Sequence, residues 1–363
     1  MRTMSVQTTM TEAGRPHVSP VSNQEWQQLC QIMNGYIYSQ TLVTACDLKL
    51  FNYLSRNQGA TQDDLQRNLG LSEYCTRVLM LAACAVGLVR REAESGRYYN
   101  SELAEKVLVA DSPQSMLPFV QFNYQVQQRG SRQLTKALKE NRNAGLDEFP
   151  GSGTTLYQRL AEYPELENLF QEAMGAYTRL SPQMLELREF SEVRHLIDVG
   201  GGDGSNAIRL CQVFPQLRIT LLEIPTVVQI ARAAVDRAGL ADRIRCEEGD
   251  MFAHRWPAGH DAAMLSHVVE IFSQENIRRL YARAYESLPP EGKLLVWTIM
   301  ANDAETDSLQ AAKSSIYFLC IASGEGMAYP AKEHEQLMKT VGFRTVKTYS
   351  AVEIDHCALV ATK

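Results

Sequence analysis

The segment SHVVEIF, residues 266–272, sets two side chains able to carry protons, His267 and Glu270, three residues apart. An apolar, strand-like run (DAAML) leads into it and a polar, helix-starting run (SQEN) follows. A half-buried carboxylate at such a junction can act as a general base near neutral pH. It can also stay ionised and hold a cationic amine or fix a substrate hydroxyl. The plainer roles are a helix-start acid favoured by the dipole for Glu270 and a satisfied strand-end histidine for His267.

A second chemical signal is LIDVGGGDGSNAIRL, which supplies Gly200, Gly201, Gly202 and Gly204 after a strand and before a helix. Glycines there let the backbone turn tightly and approach a ligand, with the helix N-terminus facing it. The dinucleotide spacing G-x-G-x-x-G fails, because the sixth position from Gly200 is Ser205. An acid, Asp198, precedes the glycines at the strand end. Another, Glu223, ends the next strand (TLLEIP), where a ribose diol would find a bidentate acceptor. A third element, EEGDMF, offers Asp250 to an exocyclic amine and Met251 and Phe252 to the faces of an adenine ring. Taken alone, Asp250 reads equally as a turn residue and Phe252 as core.

Two kinds of element must position these groups. From Trp26 to about residue 180 the periodicity is helical, with Trp26, Leu29, Met33, Ile37, Val43, Cys46, Leu50 and Leu54 at three-to-four spacing. TQDDLQRNLG has a Thr cap and a Gly stop, SEYCTRVLMLAACAVG a Ser cap and a Gly stop, and LVRREAESGRYYNS alternates about a central SG as a hairpin would. Helix, turn, helix and hairpin make a winged-helix pattern. Its would-be recognition helix carries only Arg77 as a strong base or phosphate reader, and a helix so apolar is expected to be buried rather than laid in a groove. The long helices before it hold more apolar surface than a small domain can hide, which suggests a subunit interface. From Val193 onward short β-branched runs (HLIDVGG, RITLLEI, DAAMLSHVV, GKLLVWTIM, HCALVATK) alternate with amphipathic stretches. That alternation predicts an α/β fold, a Rossmann-like doubly wound sheet. The expected organisation is a floppy tail over 1–24, a helical domain over 25–180 and a sheet domain over 181–363.

Composition narrows the rest. The 363 residues are 45% hydrophobic and 21% charged, with a net charge of −6. Scattered basic residues argue against a nucleic-acid partner. No apolar stretch is long enough to span a bilayer, and the polar first residues lack a signal-peptide core. The eight cysteines form no CxxC pair and mostly sit in apolar segments, as buried free thiols of a cytoplasmic protein would. The seven histidines (17, 195, 254, 260, 267, 334, 356) form no HxxxH or HxH pair, so no metal is expected.

DVGGGDG, LLEIP, GDMF and PPEGKLLVWTIM resemble the class I S-adenosylmethionine-dependent methyltransferases, and more narrowly the caffeic-acid and acetylserotonin O-methyltransferase type. NGYIYSQTLVTACDLKLFNYL and the winged helix resemble that family's dimerisation domain, and VGFRTVKTYSAVEIDHCALVATK its closing strands. The resemblance implies a homodimer with S-adenosyl-L-methionine as cofactor. Asp198, Gly200 and Gly202 would line the methionine end, Glu223 would bind the ribose, Asp250 and Met251 the adenine, with Phe252 and Ser266 beside them. The family's catalytic triplet, His-Asp-Trp before a Ser, falls on Glu270, Ile271 and Phe272. Glu270 thus occupies the base position, and His267 lies three residues too early, on a different side of an extended strand. Two family acids that position the base are also replaced, one by Thr298 and one near Ala328, although Glu325 stands close by.

The acceptor pocket is expected between the carboxyl edge of the sheet and the helical domain. Phe170, Met174 and Tyr177 share a helical face, and Tyr317, Cys320 and Met327 add to it. By resemblance they suggest a small aromatic or polyketide-like secondary-metabolite acceptor. Oxygen is the first expectation for the methylated atom, with carbon or nitrogen close behind because the family's histidine is missing. The alternatives are a non-methylating reaction on the same scaffold (cyclisation, elimination or hydroxylation) and a non-catalytic cofactor-binding relative.

Overall fold

A computed structural model of the chain describes residues 20–179, 182–253, 255–306, 308–352 and 356–363. Of the expected tail, residues 1–19 lie outside this set. The chain is already capping a helix at Ser22. The contacts divide it into two compact units, one ending at Glu105 and one comprising Lys106–Lys363. The sequence changes grammar near 181 because strands begin there, but the helices that precede them pack within the second unit.

In the first unit, α1 (Asn23–Met33), α2 (Gly35–Asp47), α3 (Leu50–Arg56), α4 (Gln62–Leu69) and α5 (Glu73–Ala85) precede a hairpin of β1 (Val89–Arg91) and β2 (Tyr98–Asn100). Thr61 caps α4 in a reciprocal box with Asp64, and Gly70, left-handed at φ 64°, ends it. Ser72 caps α5. The expected burial of α5 holds for one side only. Thr76, Leu79, Met80 and Ala83 are buried, while Tyr74, Val78 and Leu81 are exposed. Trp26, Leu29, Ile32, Met33, Tyr36, Ile37 and Tyr38 on α1 and α2 are exposed as well. A bare apolar face this extensive marks an association surface. All eight cysteines are free thiols, with Cys75 exposed and Cys211, Cys320 and Cys357 buried.

Helix α6 (Glu102–Val107) straddles the division. In the second unit α7 (Leu117–Phe122), α8 (Arg129–Ser131), α9 (Leu134–Glu140), α10 (Leu156–Leu160) and α11 (Pro164–Arg179) come before the sheet. The sheet then alternates β3 (His195–Val199), α12 (Ser205–Val213), β4 (Arg218–Glu223), α13 (Pro225–Arg237), β5 (Ile244–Glu248), β6 (Ala262–Ser266), α14 (Gln274–Ser287) and β7 (Lys293–Ile299). It closes with α15 (Leu309–Tyr317), α16 (Ala331–Val341), β8 (Thr345–Val352) and β9 (His356–Thr362). Seven strands pair in the order β5-β4-β3-β6-β7-β9-β8, all parallel except β9, which is antiparallel to both neighbours.

Two-residue periodicity sorts the strand side chains onto two faces. Ile197, Ala263, Leu265, Leu294 and Val296 pack with α14 and α16, while Leu196, Ala262, Met264, Leu295 and Trp297 pack with α12 and α13. Burying each large apolar side chain contributes about 1.5–3 kcal/mol, so both helical layers are firmly held. The carboxyl ends of β3, β4, β6 and β7 therefore share one edge. The antiparallel β9 brings His356 to that edge opposite Ile299. The strand order reverses at β3, between β4 and β6, the place where open α/β sheets bind ligands.

One close approach fixes the segment after β6. A Cβ on Gly326 would lie 2.4 Å from the Glu270 carbonyl oxygen and 2.7 Å from the Ile271 carbonyl carbon. Gly326→Ala is expected to destabilise the protein by about 1–3 kcal/mol through overpacking. Urea denaturation checks this, and an unchanged midpoint would show that the backbones separate freely.

Candidate active site

The strand β3 delivers an acid into a dry place. Asp198 is 1% exposed, and neither of its carboxylate oxygens has a hydrogen-bond partner. Burial, with the nearby Glu223 carboxylate, pushes its pKa up to about 7. Glu223 lies at the end of β4. Its Oε2 accepts from the Gly202 N–H at 3.0 Å and its Oε1 from the Ile224 N–H at 2.8 Å. Burial raises the Glu223 pKa, and those two N–H groups oppose the rise. Between the acids the backbone of Gly200 (φ 72°), Gly202 (φ 58°) and Gly204 (φ 82°) is left-handed, which L side chains rarely adopt. A Cβ on Gly200 would also stand 2.8 Å from Val268 Cγ2 and 3.3 Å from Met251 Cε.

The segment after β6 holds the proton-carrying pair. His267 has a left-handed backbone (φ 55°), unusual for a residue with a side chain. Its N–H donates to the Trp297 carbonyl at 2.8 Å, and a 3-10 turn, Val269–Ile271, follows. The turn folds Glu270 back, so that Glu270 Oε1 lies 3.0 Å from His267 Nδ1. The expectation that His267 and Glu270 face different sides is overturned, since the strand ends at Ser266 and the left-handed step reverses the direction. Nor does Glu270 start the next helix, which Ser273 precedes. Glu270 is 3% exposed, with Oε2 buried and unpartnered.

The opposite face of the imidazole meets a group the sequence analysis did not single out. His267 Nε2 lies 3.2 Å from His356 Nε2. His356 is fully buried, stacked on Trp297 at 5.4 Å and tilted against Tyr177 at 5.8 Å. Two ring nitrogens in such contact attract only when one of them carries the hydrogen. Its sequence context, HCALVATK, reads as plain strand. Only the pairing of β9 with β7 reveals it.

The remaining candidates separate into two groups. Tyr177 meets His267, with ring centroids 5.8 Å apart. Phe170, Met174, Tyr317 and Cys320 pack instead into the cluster around Phe122, where Tyr317 and Cys320 are buried. Ser266 accepts from Asn206 Nδ2 at 3.1 Å, and a narrow gap beside it is lined by Thr178, Asn206, His267 and Trp297. Gln171, also unforeseen, is buried with Oε1 3.9 Å from where a Gly202 Cβ would stand. Asp250 Oδ1 accepts from the Phe252 and Ala253 N–H groups, which is the turn role, and Phe252 packs edge-on against Phe272 at 5.0 Å. Thr298 is fully buried with Oγ1 unpartnered. Glu325 is exposed and accepts from Asn276, so it does not restore the missing acid. Among the described residues no group of His, Cys, Asp and Glu has a metal-binding arrangement, and no helix is long and apolar enough to cross a membrane.

An O-methyltransferase domain model matches residues 132–344 and an O-methyltransferase dimerisation domain model residues 30–110. The chain belongs to the O-methyltransferase family. It is 32% identical to the L-tyrosine C(3)-methyltransferase of Streptomyces lavendulae, over 92% of each chain. It is 28% identical to the 3-hydroxy-5-methyl-1-naphthoate 3-O-methyltransferase of Streptomyces sahachiroi, over 88% of this chain and 90% of that one. Among solved structures, the S-adenosylmethionine-dependent methyltransferase SibL superposes with a TM-score of 0.80 at 30% identity, covering 93% of this chain and 99% of SibL. Human N-acetylserotonin methyltransferase in complex with S-adenosylmethionine shares the fold at a TM-score of 0.85, with 23% identity over 95% of this chain and 99% of that one.

The family member is thus an S-adenosylmethionine-dependent methyltransferase, and the residues at the sheet edge suit that donor. A sealed carboxylate with two empty acceptor positions, as in Asp198, calls for a cationic donor group, and the glycines leave a strip of backbone open to a close ligand.

Asp198 also makes a pH test. An acid whose pKa is raised on folding leaves the protein at full stability below the unfolded value, near pH 4. That stability is lost as pH climbs towards 7. Asp198→Asn removes the loss, so the free protein is expected to gain about 2–4 kcal/mol at pH 8 and almost nothing at pH 4. Denaturant melts at the two pH values compare them, and an equal effect at both would show that Asp198 stays ionised.

Proposed function

We propose that this methyltransferase acts on a small hydroxyaromatic molecule, with His267 taking the hydroxyl proton and Glu270 holding the imidazole in place. The contact of His267 Nδ1 with Glu270 Oε1 at 3.0 Å carries this reading. With Nδ1–H donating to the carboxylate, the basic lone pair is on Nε2. The His356 N–H then donates to that lone pair until an acceptor hydroxyl displaces it. The relatives support the acceptor class, since tyrosine and hydroxynaphthoate are both hydroxyaromatic. Removing the proton leaves charge on the oxygen and on the neighbouring ring carbons, so one base serves methylation at either atom.

On this reading Asp198 holds the amino group of the donor's methionine part, and Gly200 and Gly202 allow its close approach. Glu223 releases the Gly202 N–H to accept from the ribose hydroxyls. Met251, Phe252 and the Asp250 turn flank the adenine, and Asn206 and Ser266 close the side next to His267. When bound, S-adenosylmethionine supplies a methyl group on positively charged sulfur. The protein's part is alignment, the removal of one proton and the exclusion of water.

His267→Asn is expected to lower kcat by about 10²–10⁴-fold while leaving donor binding within about threefold. Glu270→Gln should lower it less. Labelled donor, a panel of phenols and calorimetry check both. Full turnover by His267→Asn would remove the base from the proposal.

The dimerisation domain is further proposed to pair two copies of this chain through the exposed face of Trp26, Ile32 and Tyr36. Sedimentation should give a dimer for the native chain and a monomer for Ile32→Glu. A native monomer at micromolar concentration would contradict it.

A further inference from the structure

Lys313, on α15, is a lysine with an unusual setting. Its side chain is half-buried, and its ammonium lies 4.9 Å from the centre of the Phe119 ring. Among the described residues no carboxylate pairs with it. Burial alone lowers its pKa, with no charged neighbour contributing. An ammonium stripped of much of its water and facing only a ring is incompletely compensated, because a ring face replaces part of the lost hydration and an anion replaces more. A lysine whose purpose is solubility extends its head into water instead.

The ring beneath Lys313 leads to the base. Phe119 stacks on Tyr177 with centroids 5.3 Å apart and planes at 17°, and Tyr177 meets His267 at 5.8 Å. All four side chains are partly exposed rather than sealed. A ligand lying along Phe119 and Tyr177 therefore meets a cation at one end and an imidazole backed by a carboxylate at the other.

We propose that the acceptor is a hydroxyaryl carboxylic acid whose carboxylate is bound by Lys313 while its hydroxyl meets His267. This rests on the proposed hydroxyaromatic chemistry and adds the substrate class to it. No covalent change occurs at Lys313. It donates charge-assisted hydrogen bonds, orients the ring and rejects acceptors lacking the anion, whose binding would leave the ammonium unpaired.

The experiment uses the full chain with S-adenosylmethionine and matched acceptors: L-tyrosine, 4-hydroxyphenylacetate and a hydroxynaphthoate, each beside its methyl ester. The native enzyme should favour acids over esters by about tenfold or more in kcat/KM. Lys313→Met, which keeps the aliphatic stem, should lower kcat/KM for the acids by about 10–100-fold, mainly through KM. Turnover of the esters should stay within about twofold. Lys313→Arg should retain most of the preference. Calorimetry of acid binding to the complex with S-adenosylhomocysteine should lose the same factor in Lys313→Met, and its melting temperature tells folding from recognition. Equal losses on acids and esters would make Lys313 a support for Phe119. No loss on either, or a native enzyme indifferent to the carboxylate, would overturn the inference while leaving the base intact. Failure of every hydroxyaromatic to bind or accept a methyl group would remove the underlying reading as well.

Discussion

The contact between His267 and Glu270 depends on the backbone of His267 turning left-handed where β6 ends. In an extended continuation the two side chains would point apart. The left-handed step and the 3-10 turn after it carry the carboxylate back under the ring. A strained residue of this kind persists only where its surroundings over-determine it. Here the His267 N–H is anchored on β7 and the next turn is pressed against Gly326. The family resemblance places Glu270 at the position of the usual histidine. The structure nevertheless has an imidazole and a carboxylate in partnership, with the histidine coming from the residue after the strand.

The donor side rests on a different constraint, an acid buried without hydrogen bonds. Asp198 is buried with neither carboxylate oxygen hydrogen-bonded, and burial raises its pKa, an arrangement unfavourable to the ionised acid. The glycines beside it add conformational cost of their own. On the proposed reading, a cationic group lying beside Asp198 would relieve its unpaired carboxylate. Glu223, by contrast, is satisfied by the backbone N–H groups of Gly202 and Ile224.

Much of this was legible in the sequence because it is local. Thr61, Gly70 and Ser72 act through neighbours a few residues away, and the alternation of Ile197 and Val199 with Leu196 states which faces are buried. The glycine loop and its acids follow from spacing along consecutive strands. What was not legible depends on distance along the chain or on a single dihedral angle. His356 reaches His267 only through the register of β9 on β7, and no pattern in HCALVATK marks it. The opposition of His267 and Glu270 assumed an extended backbone that one residue breaks. The apolar residues around Phe122 looked like a pocket lining because a helical face cannot tell core from cavity.

The antiparallel placement of β9 has a consequence for loop closure. β3 and β4 are consecutive strands, whereas His356 meets His267 across 89 positions. The entropy lost on closing a loop grows with its length, so the imidazole contact is the harder of the two to close and depends on the register of β9 on β7.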